Sequence, residues 1–451
     1  MTRTDLVVFS RDLRVHDHPA LATAVRHADH VVPLFVFDDA IFDGTFAAPN
    51  RVAYMLEALR DLDASLHARG GALIVRHGNW AHQVVDVARE FDAHTIHLTR
   101  DVSAWSERRA QQLRSELPAA HVAEHPGIGV VPAGQVQPTG DDHFKVFTPY
   151  WRQWEATDWR TVVAAPKAVS IPAGIETGFI PALEELVKGA PSPELVVAGE
   201  TEARKRLNAW TKSHLHEYSE IHDALADDST SHTSAALHFG CLSALEIATK
   251  LQGRPGADAF VRQLCWRDFY AQILAARRDA SWQDFRNRGD RWNVDDAAFN
   301  AWAEGRTGYP LVDAGMRQLV REGFMHNRAR MVTASFLTKD LYIDWRRGAQ
   351  YFLDWLVDGD IANNNLNWQW TAGTGTDTNP HRIFNPVAQS RKYDPHGDYI
   401  RRYVPELSSL DAKEIHEPWL LGPLELERLG YPAPIVDHHE AIAEYRARRS
   451  S

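Results

Sequence analysis

Four short apolar runs recur through the first hundred positions, and they constrain the fold more than any other feature of the chain. They are LVVF (Leu6–Phe9), VVPLFVF (Val31–Phe37), ALIV (Ala72–Val75) and TIHL (Thr95–Leu98). A strand with one wet face alternates apolar and polar residues, whereas a strand covered on both faces reads as a continuous apolar run. Between the runs, His18–Ala28, Arg51–Arg69 and Ala81–Phe91 carry helical spacing. This alternation predicts an α/β fold with a doubly wound parallel sheet. No GxGxxG follows the first strand, which removes the usual dinucleotide site there. A ligand at the carboxyl ends of the strands stays open.

At 451 residues the chain exceeds what one core usually supports, so more than one domain is expected. Residues 1–134 read as the α/β domain. Residues 135–199 turn to Pro, Gly and Ala, as in PTGDD, IPAGIETGFIP and GAPSPE, and read as a connector lying over the surface. From 200 to 451 the pattern is helical almost throughout, which predicts a larger all-α domain.

No apolar run approaches membrane-spanning length, and MTRTDLVVFSRDLR lacks the apolar core of a signal peptide. Two cysteines, Cys241 and Cys265, are too few for a disulfide framework or an all-cysteine cluster. A cytoplasmic location is the expectation. The net charge of −11 argues against a broadly basic nucleic-acid binder, though not against a local patch. Between Arg317 and Arg347 seven Lys or Arg stand against three Asp or Glu. This stripe fits a phosphate-binding face, although an isolated stripe is more commonly a solvated helix face laced with i,i+4 pairs.

The segment DGDIANNNLNWQW (Asp358–Trp370) concentrates two carboxylates, four asparagines and two tryptophans. Asn competes with the helix backbone for hydrogen bonds, so such a run is costly unless its amides hold something. On residues alone, a polar loop closed by two core tryptophans explains it as well as a bound flat, redox-active group. Three more clusters mix polar and apolar groups. Tyr218 precedes STSHTSAALHFGCLS (Ser229–Ser243), a hydroxyl-rich turn into a helix that suits phosphate, or simply caps the helix. RQLCWRDFY (Arg262–Tyr270) and FMHNRARM (Phe324–Met331) suit a stacked base, or a core helix with an arginine reaching outward.

Together these segments resemble the DNA photolyase and cryptochrome family, most of all the class I cyclobutane pyrimidine dimer photolyases. The resemblance rests on RDLRVHD (Arg11–Asp17), TSHTS (Thr230–Ser234), WRDFY (Trp266–Tyr270), GYPLVDAGMRQL (Gly308–Leu319), MHNRARM (Met325–Met331), DGDIANNNLNWQW and TGTDTNPHRIFNP (Thr374–Pro386). It spans nearly the whole chain and runs to about Tyr445. It implies an α/β antenna domain plus a helical FAD domain, in agreement with the architecture read from the pattern.

The resemblance also implies roles. FAD phosphates would meet Thr230, Ser231, Thr233 and Ser234, with Tyr218, His232 and Arg267 nearby. Asp358 and Asp360 would flank the isoalloxazine and ribityl side, with Asp358 paired to Arg330. Asn364 would face flavin N5, where an amide oxygen accepts from a protonated nitrogen and favours the reduced states that repair needs. Plant-type cryptochromes usually carry Asp there and insect ones Cys, so Asn favours a photolyase. Trp368, Trp345 and Trp292 match the family's electron-carrying tryptophan chain.

The implied substrate is ultraviolet-damaged DNA, duplex or single-stranded, bound by a monomer that flips the lesion out. Trp266 and Trp370 would stack on the dimer, Asn327 and Met331 would line its pocket, and Arg328 and Gln389 would hold phosphates. Excited reduced flavin would donate one electron, the ring bonds would split, and the electron would return. Cyclobutane dimers are favoured over (6-4) photoproducts, whose enzymes usually carry histidines at Asn327 and Met331. Gln263 replaces a usual Glu that reaches the pyrimidine, and His232 replaces a usual Arg beside the FAD phosphates, making cofactor retention pH-sensitive. Asp38, Arg51 and Asp101 resemble positions lining an antenna site for 8-hydroxy-deazaflavin; methenyltetrahydrofolate, or no antenna, is the alternative. They are also ordinary polar residues for strand ends. The rivals are a cryptochrome-type photoreceptor and a non-enzymatic binder of damaged or single-stranded DNA, which needs only the stripe and the aromatics.

Overall fold

The computed structural model describes residues 2–44 and 46–450. Its sheet has five strands, β1 (Thr4–Phe9), β2 (His30–Asp38), β3 (Ile74–Gly78), β4 (Thr95–Thr99) and β5 (His121–His125). All pair in parallel, in the order β3-β2-β1-β4-β5. Every residue of β1 is buried, as its unbroken apolar run requires. The helices of nine residues or more are α1 (Pro19–His27), α2 (Pro49–His67), α3 (Trp80–Glu90), α4 (Ala104–Glu116), α5 (Phe147–Ala156), α6 (Glu200–Ser213), α7 (Ala257–Ala276), α8 (Pro310–Glu322), α9 (Asn327–Ser335), α10 (Trp345–Trp355), α11 (Ile361–Ala372) and α12 (His438–Ser450).

Contacts divide the chain into two compact units. One comprises the chain up to Pro191, Val196–His216 and Ser231–Arg278; the other comprises Ser192–Leu195, Glu217–Thr230 and everything from Asp279. In the first, Trp80, Val84 and Val87 of α3 and Leu113 of α4 pack on Leu6, Val8, Leu34, Ile74 and Ile96 of the sheet. The helices α6 and α7 belong to this unit, although their sequence pattern continues that of the helical half. RDLRVHD acts here as scaffolding. Arg14 is buried and donates to the carbonyls of His16, Asp17, Gly127 and Gly240, while Asp17 receives the Arg160 fork at 2.6 and 2.7 Å.

The segment expected as a surface connector is more structured than its composition suggests. It contains α5, whose Tyr150 and Trp154 are buried. Its irregular remainder is tied to the sheet unit, with Val31 N donating to Ser170 O and Val75 N to Thr177 O. Pro and Gly break periodicity without exposing the chain, which is why the pattern misleads. Also absent from the sequence reading were α4 and β5, whose outer faces are polar enough to hide the apolar minority.

The second unit is helical, apart from a single isolated bridge between Asn293 and Ile343 among the described residues. Its core joins Trp302, Val312, Met316, Phe336, Trp345, Phe352 and Trp368. Among the described residues no helix is long and apolar enough to cross a membrane.

Candidate functional site

The asparagine-rich run forms α11, and each amide has an assignable partner. Asp360 caps the helix, accepting from Asn363 N at 2.9 Å and Asn363 Nδ2 at 2.8 Å. Asn367 Nδ2 donates back to Asn363 O at 2.7 Å. Asn365 and Gln369 are fully buried and grip the segment 280–285. Asn365 Nδ2 donates to Ser281 O at 2.5 Å, and Gln369 Nε2 donates to Ala280 O at 2.6 Å and Gln283 O at 3.1 Å. Gln369 Oε1 accepts from Phe285 N at 2.7 Å. Tertiary partners thus overcome the poor helix propensity of the run. It ends at Gly373, where φ is +80° and an added Cβ would stand 2.3 Å from Pro380 O.

Asn364 differs from its neighbours. Its Nδ2 donates to Ala349 O at 3.0 Å and to Asn365 Oδ1 at 2.8 Å. Both N–H groups are used, and the half-buried side chain presents an oxygen with no partner among the described residues. Asp358 receives the fork of Arg330 at 3.2 and 2.9 Å, the pairing expected from the sequence.

The three tryptophans of the expected chain are placed as follows. Trp368 is buried, its indole N–H lacks a partner among the described residues, and its ring meets Phe352 at 4.9 Å and Trp302 at 6.0 Å. Trp345 is fully buried and donates from Nε1 to Asp284 Oδ1 at 2.8 Å. Trp292 is half-buried against Tyr342. Gly348 on α10 gives Trp368 its room, since a Cβ there would stand 2.2 Å from Trp368 Cη2. The sequence reading missed Gly348 and Trp302, because clearance and ring contact are tertiary properties.

The hydroxyl-rich turn splits between the units. In the second unit Tyr218 is buried, with its hydroxyl pushed up to about 12 by burial and then by Asp223, and Thr230 Oγ1 is buried with no hydrogen-bond partner among the described residues. In the first unit Ser231 Oγ and Thr233 Oγ1 lie 2.8 Å apart, His232 adopts φ +47°, and Ser234 opens a five-residue helix. Arg267 donates to Ile128 O at 2.6 Å and Leu237 O at 3.1 Å. Beside it, Trp266 stacks on Phe147 with ring centres 3.6 Å apart, which occupies one of its faces. Gln263 is exposed.

In the second unit exposed Asn327 and half-buried Met331 sit one turn apart on α9, with Asn327 Nδ2 3.7 Å from Met331 Sδ. Trp370 lies under the Arg382 guanidinium at 5.2 Å, and Gln389 Oε1 is buried without a partner among the described residues. Arg328, expected to hold phosphate, is forked onto Asp223 at 2.5 and 3.3 Å and lies over Tyr393. The whole basic stripe is similarly engaged. Arg317 pairs with Glu406, Arg321 with Glu194, Arg346 with Asp284 and Asp344, and Arg347 with Asp296, while Lys339 is buried and donates to Arg382 O. Most of these partners are far along the chain and not the i,i+4 neighbours a solvated helix face would supply. Burial pushes Lys339 down to about 7, with Arg449 adding to the effect.

At the carboxyl ends of the strands, Asp38 closes β2 and pairs with Arg109, whose guanidinium lies over Trp80 and Trp105. Arg51 donates to Phe46 O and lies over that ring, and Asp101 receives Arg11 at 3.4 Å.

Comparison with known proteins decides the family. A model described as DNA photolyase matches residues 5–169, and one described as the FAD binding domain of DNA photolyase matches residues 260–451. A deoxyribodipyrimidine photo-lyase of Streptomyces griseus is 50% identical over 98% of both chains. The chain belongs to the DNA photolyase family. Another photolyase relative, from Halobacterium salinarum, is 37% identical over 97% of this chain and 98% of its own. Among solved structures, a bacterial class III photolyase from Agrobacterium tumefaciens matches with a TM-score of 0.93 at 33% identity, covering 100% of this chain and 98% of that one. A cryptochrome from Synechocystis matches with a TM-score of 0.90 at 31% identity, covering 99% of both. Photolyase and cryptochrome thus share this fold, and side-chain chemistry must separate them.

Proposed function

We propose that the chain repairs cyclobutane pyrimidine dimers in DNA, using light and FAD. The observation that carries the reading is the Asn364 carboxamide, which has both N–H groups satisfied and its oxygen left as a fixed acceptor. That oxygen suits a protonated flavin N5. Thr230 Oγ1, buried and unpartnered among the described residues, suits a phosphate oxygen. The residues present therefore fit FAD. The residues that would hold it are Tyr218, Thr230, Ser231, His232, Thr233, Ser234, Arg267, Asp358, Asp360 and Asn364. FAD when bound supplies light-driven donation of one electron to the lesion.

The remaining work falls to the chain's own residues. Arg330 holds Asp358 in place as a fixed negative group. Gln263, Asn327 and Met331 orient the pyrimidines, with Trp370 as a stacking surface and Trp266 offering the face that Phe147 leaves uncovered. Trp368, Trp345 and Trp292 carry electrons inward from the surface, consistent with their passage from buried to half-buried. Gln263 donates or accepts a hydrogen bond but stays neutral, so it orients the pyrimidine without a charge. Gln389 and Arg328 serve the phosphates; Arg328 must exchange Asp223 for phosphate or act through the pair.

The division at residues 134 and 199, action as a monomer, a cytoplasmic location and the class I assignment belong to this proposal. So does an 8-hydroxy-deazaflavin antenna near Asp38, Arg51 and Asp101, which the absorption spectrum of the released chromophores tests directly. A cryptochrome-type photoreceptor is the second reading, favoured by the fold shared with the Synechocystis protein.

Purified protein supplied with reductant and blue light is expected to return thymine-dimer oligonucleotides to monomers. A yield no greater than the dark control, with FAD confirmed in the protein, overturns the repair reading and leaves the photoreceptor.

A further inference from the structure

The orientation of Asn364 is not decided by Asn364. A carboxamide is nearly symmetric in shape, so its neighbours choose which end faces a ligand. Two acceptors choose here, Ala349 O at 3.0 Å and Asn365 Oδ1 at 2.8 Å, each taking one N–H of Asn364. Asn365 is fixed in turn, because its own Nδ2 donates to Ser281 O at 2.5 Å and the side chain is fully buried. Reversing Asn365 would set two carbonyl oxygens against each other and turn an N–H towards that of Asn364.

We propose that Asn365 is a positioning residue for the flavin: by accepting from Asn364 it commits the Asn364 oxygen to the ligand and so raises the proton affinity of flavin N5. The inference rests on the FAD reading given above. With Asn365 in place, a protonated N5 donates to Asn364 Oδ1. Without it, Asn364 is held by Ala349 alone, so turning the amide over to donate an N–H to an unprotonated N5 costs one hydrogen bond instead of two. Ser281 belongs to the same device, since its carbonyl sets the direction of Asn365. The helix supplies the two side chains at adjacent positions, and the distant segment supplies the reference.

The test compares the FAD-loaded wild type with Asn365→Leu and Asn365→Asp. Leucine removes the acceptor while keeping the same heavy-atom branching; Asn365→Ala, which removes the same acceptor, stands in if the bulkier leucine does not fold. Aspartate keeps an oxygen facing Asn364, and when protonated in that buried position its hydroxyl donates to Ser281 O. Each protein is partly photoreduced without oxygen, and visible spectra over a pH series give the midpoint at which the one-electron-reduced flavin takes up its proton. Thermal unfolding of each protein reports the fold separately. The expected result is a downward shift of about one pH unit for Asn365→Leu, about tenfold in proton affinity, the size of one lost neutral hydrogen bond. Asn365→Asp is expected to stay with the wild type, even though a buried carboxyl is the harsher change for stability. A leucine variant with the wild-type midpoint overturns the proposal, as does a shift shared by leucine and aspartate. Wild-type protein that takes up no FAD overturns the flavin reading and the inference with it, before any variant is compared.

Discussion

Gly348 and Trp368 touch so closely that the smallest side chain has no room between them. A Cβ at Gly348 would lie 2.2 Å from Trp368 Cη2 and 2.6 Å from Leu337 Cδ2. Alanine is normally the better helix residue, by about 1 kcal/mol. Here overpacking prevails, and Gly348→Ala is expected to destabilise the protein by about 1–3 kcal/mol, read by denaturant unfolding. The variant should also slow photoreduction of bound flavin, because the indole must move. Trp368→Phe is the complementary change: it should block photoreduction yet spare repair by chemically reduced enzyme, and equal photoreduction in the two proteins refutes the assigned relay. At this scale the pairing of Asp358 with Arg330 was legible in the sequence, because both residues sit in ordered motifs. The purpose of Asn363, Asn365 and Asn367 was not, since their partners are Asp360, the Ser281 carbonyl and a helix carbonyl. A sequence shows that an amide needs a partner, but a partner 84 positions away has no local signature.

Helix α7 shows how a motif that looks functional is also a joint. Asp268, in WRDFY, accepts from Val130 N, Val131 N and Trp154 Nε1, each at 2.9 Å. Burial raises the pKa of this carboxyl, and the three donors together with Arg267 oppose the rise. Asp268→Ala would leave three buried donors unpaired, each costing about 1–3 kcal/mol, so several kcal/mol of stability should be lost in a melting experiment. The same element contributes Trp266 and Arg267, so loss of Asp268 should also weaken FAD binding. The basic stripe teaches the opposite lesson. From the sequence its seven positive residues could meet phosphate or, more commonly, form a solvated face with local pairs, yet Arg317 and Arg321 are bound to the distant Glu406 and Glu194. Removing either should change the salt slope of DNA binding by less than about one phosphate contact, measured by anisotropy over a salt series; a full unit lost would return the stripe to the DNA-binding face. Charge density was legible from sequence. Its neutralisation was not, because the carboxylates come from other parts of the chain.

For the molecule as a whole, the parallel sheet and the helical second unit follow from hydrophobic periodicity, while the strand order and the grouping of α6 and α7 with the sheet do not, because periodicity says nothing of which neighbour a strand pairs with or which core a helix joins. One acid-sensitive group sits in the sheet unit. His125 lies 2.9 Å from His97, and its pKa is lowered to about 4 by burial first and by His97 and His18 next. The unfolded chain therefore binds a proton near pH 6.5 that the folded chain refuses until about 4, so this contribution is complete above 6.5 and is lost as the pH falls through that window. His125→Gln should flatten the decline of the unfolding midpoint between pH 7 and pH 5 by an amount reduced by partial solvent screening; an unchanged slope removes His125 as the cause. The grip of Asn365 and Gln369 on residues 280–285 has a consequence for the order of assembly. Their partners lie 84 and 89 positions earlier, so α11, although capped locally by Asp360 and Gly373, keeps two buried amides unpaired until two distant stretches of chain have met. During refolding, amide protons of residues 364–369 should become shielded from exchange together with those of 280–285, and later than those of α8, whose run PLVDAGMRQLVRE carries better helix formers than the asparagine run. The helix carrying the proposed flavin contact would then be among the last built, and newly made chains would reach cofactor competence late.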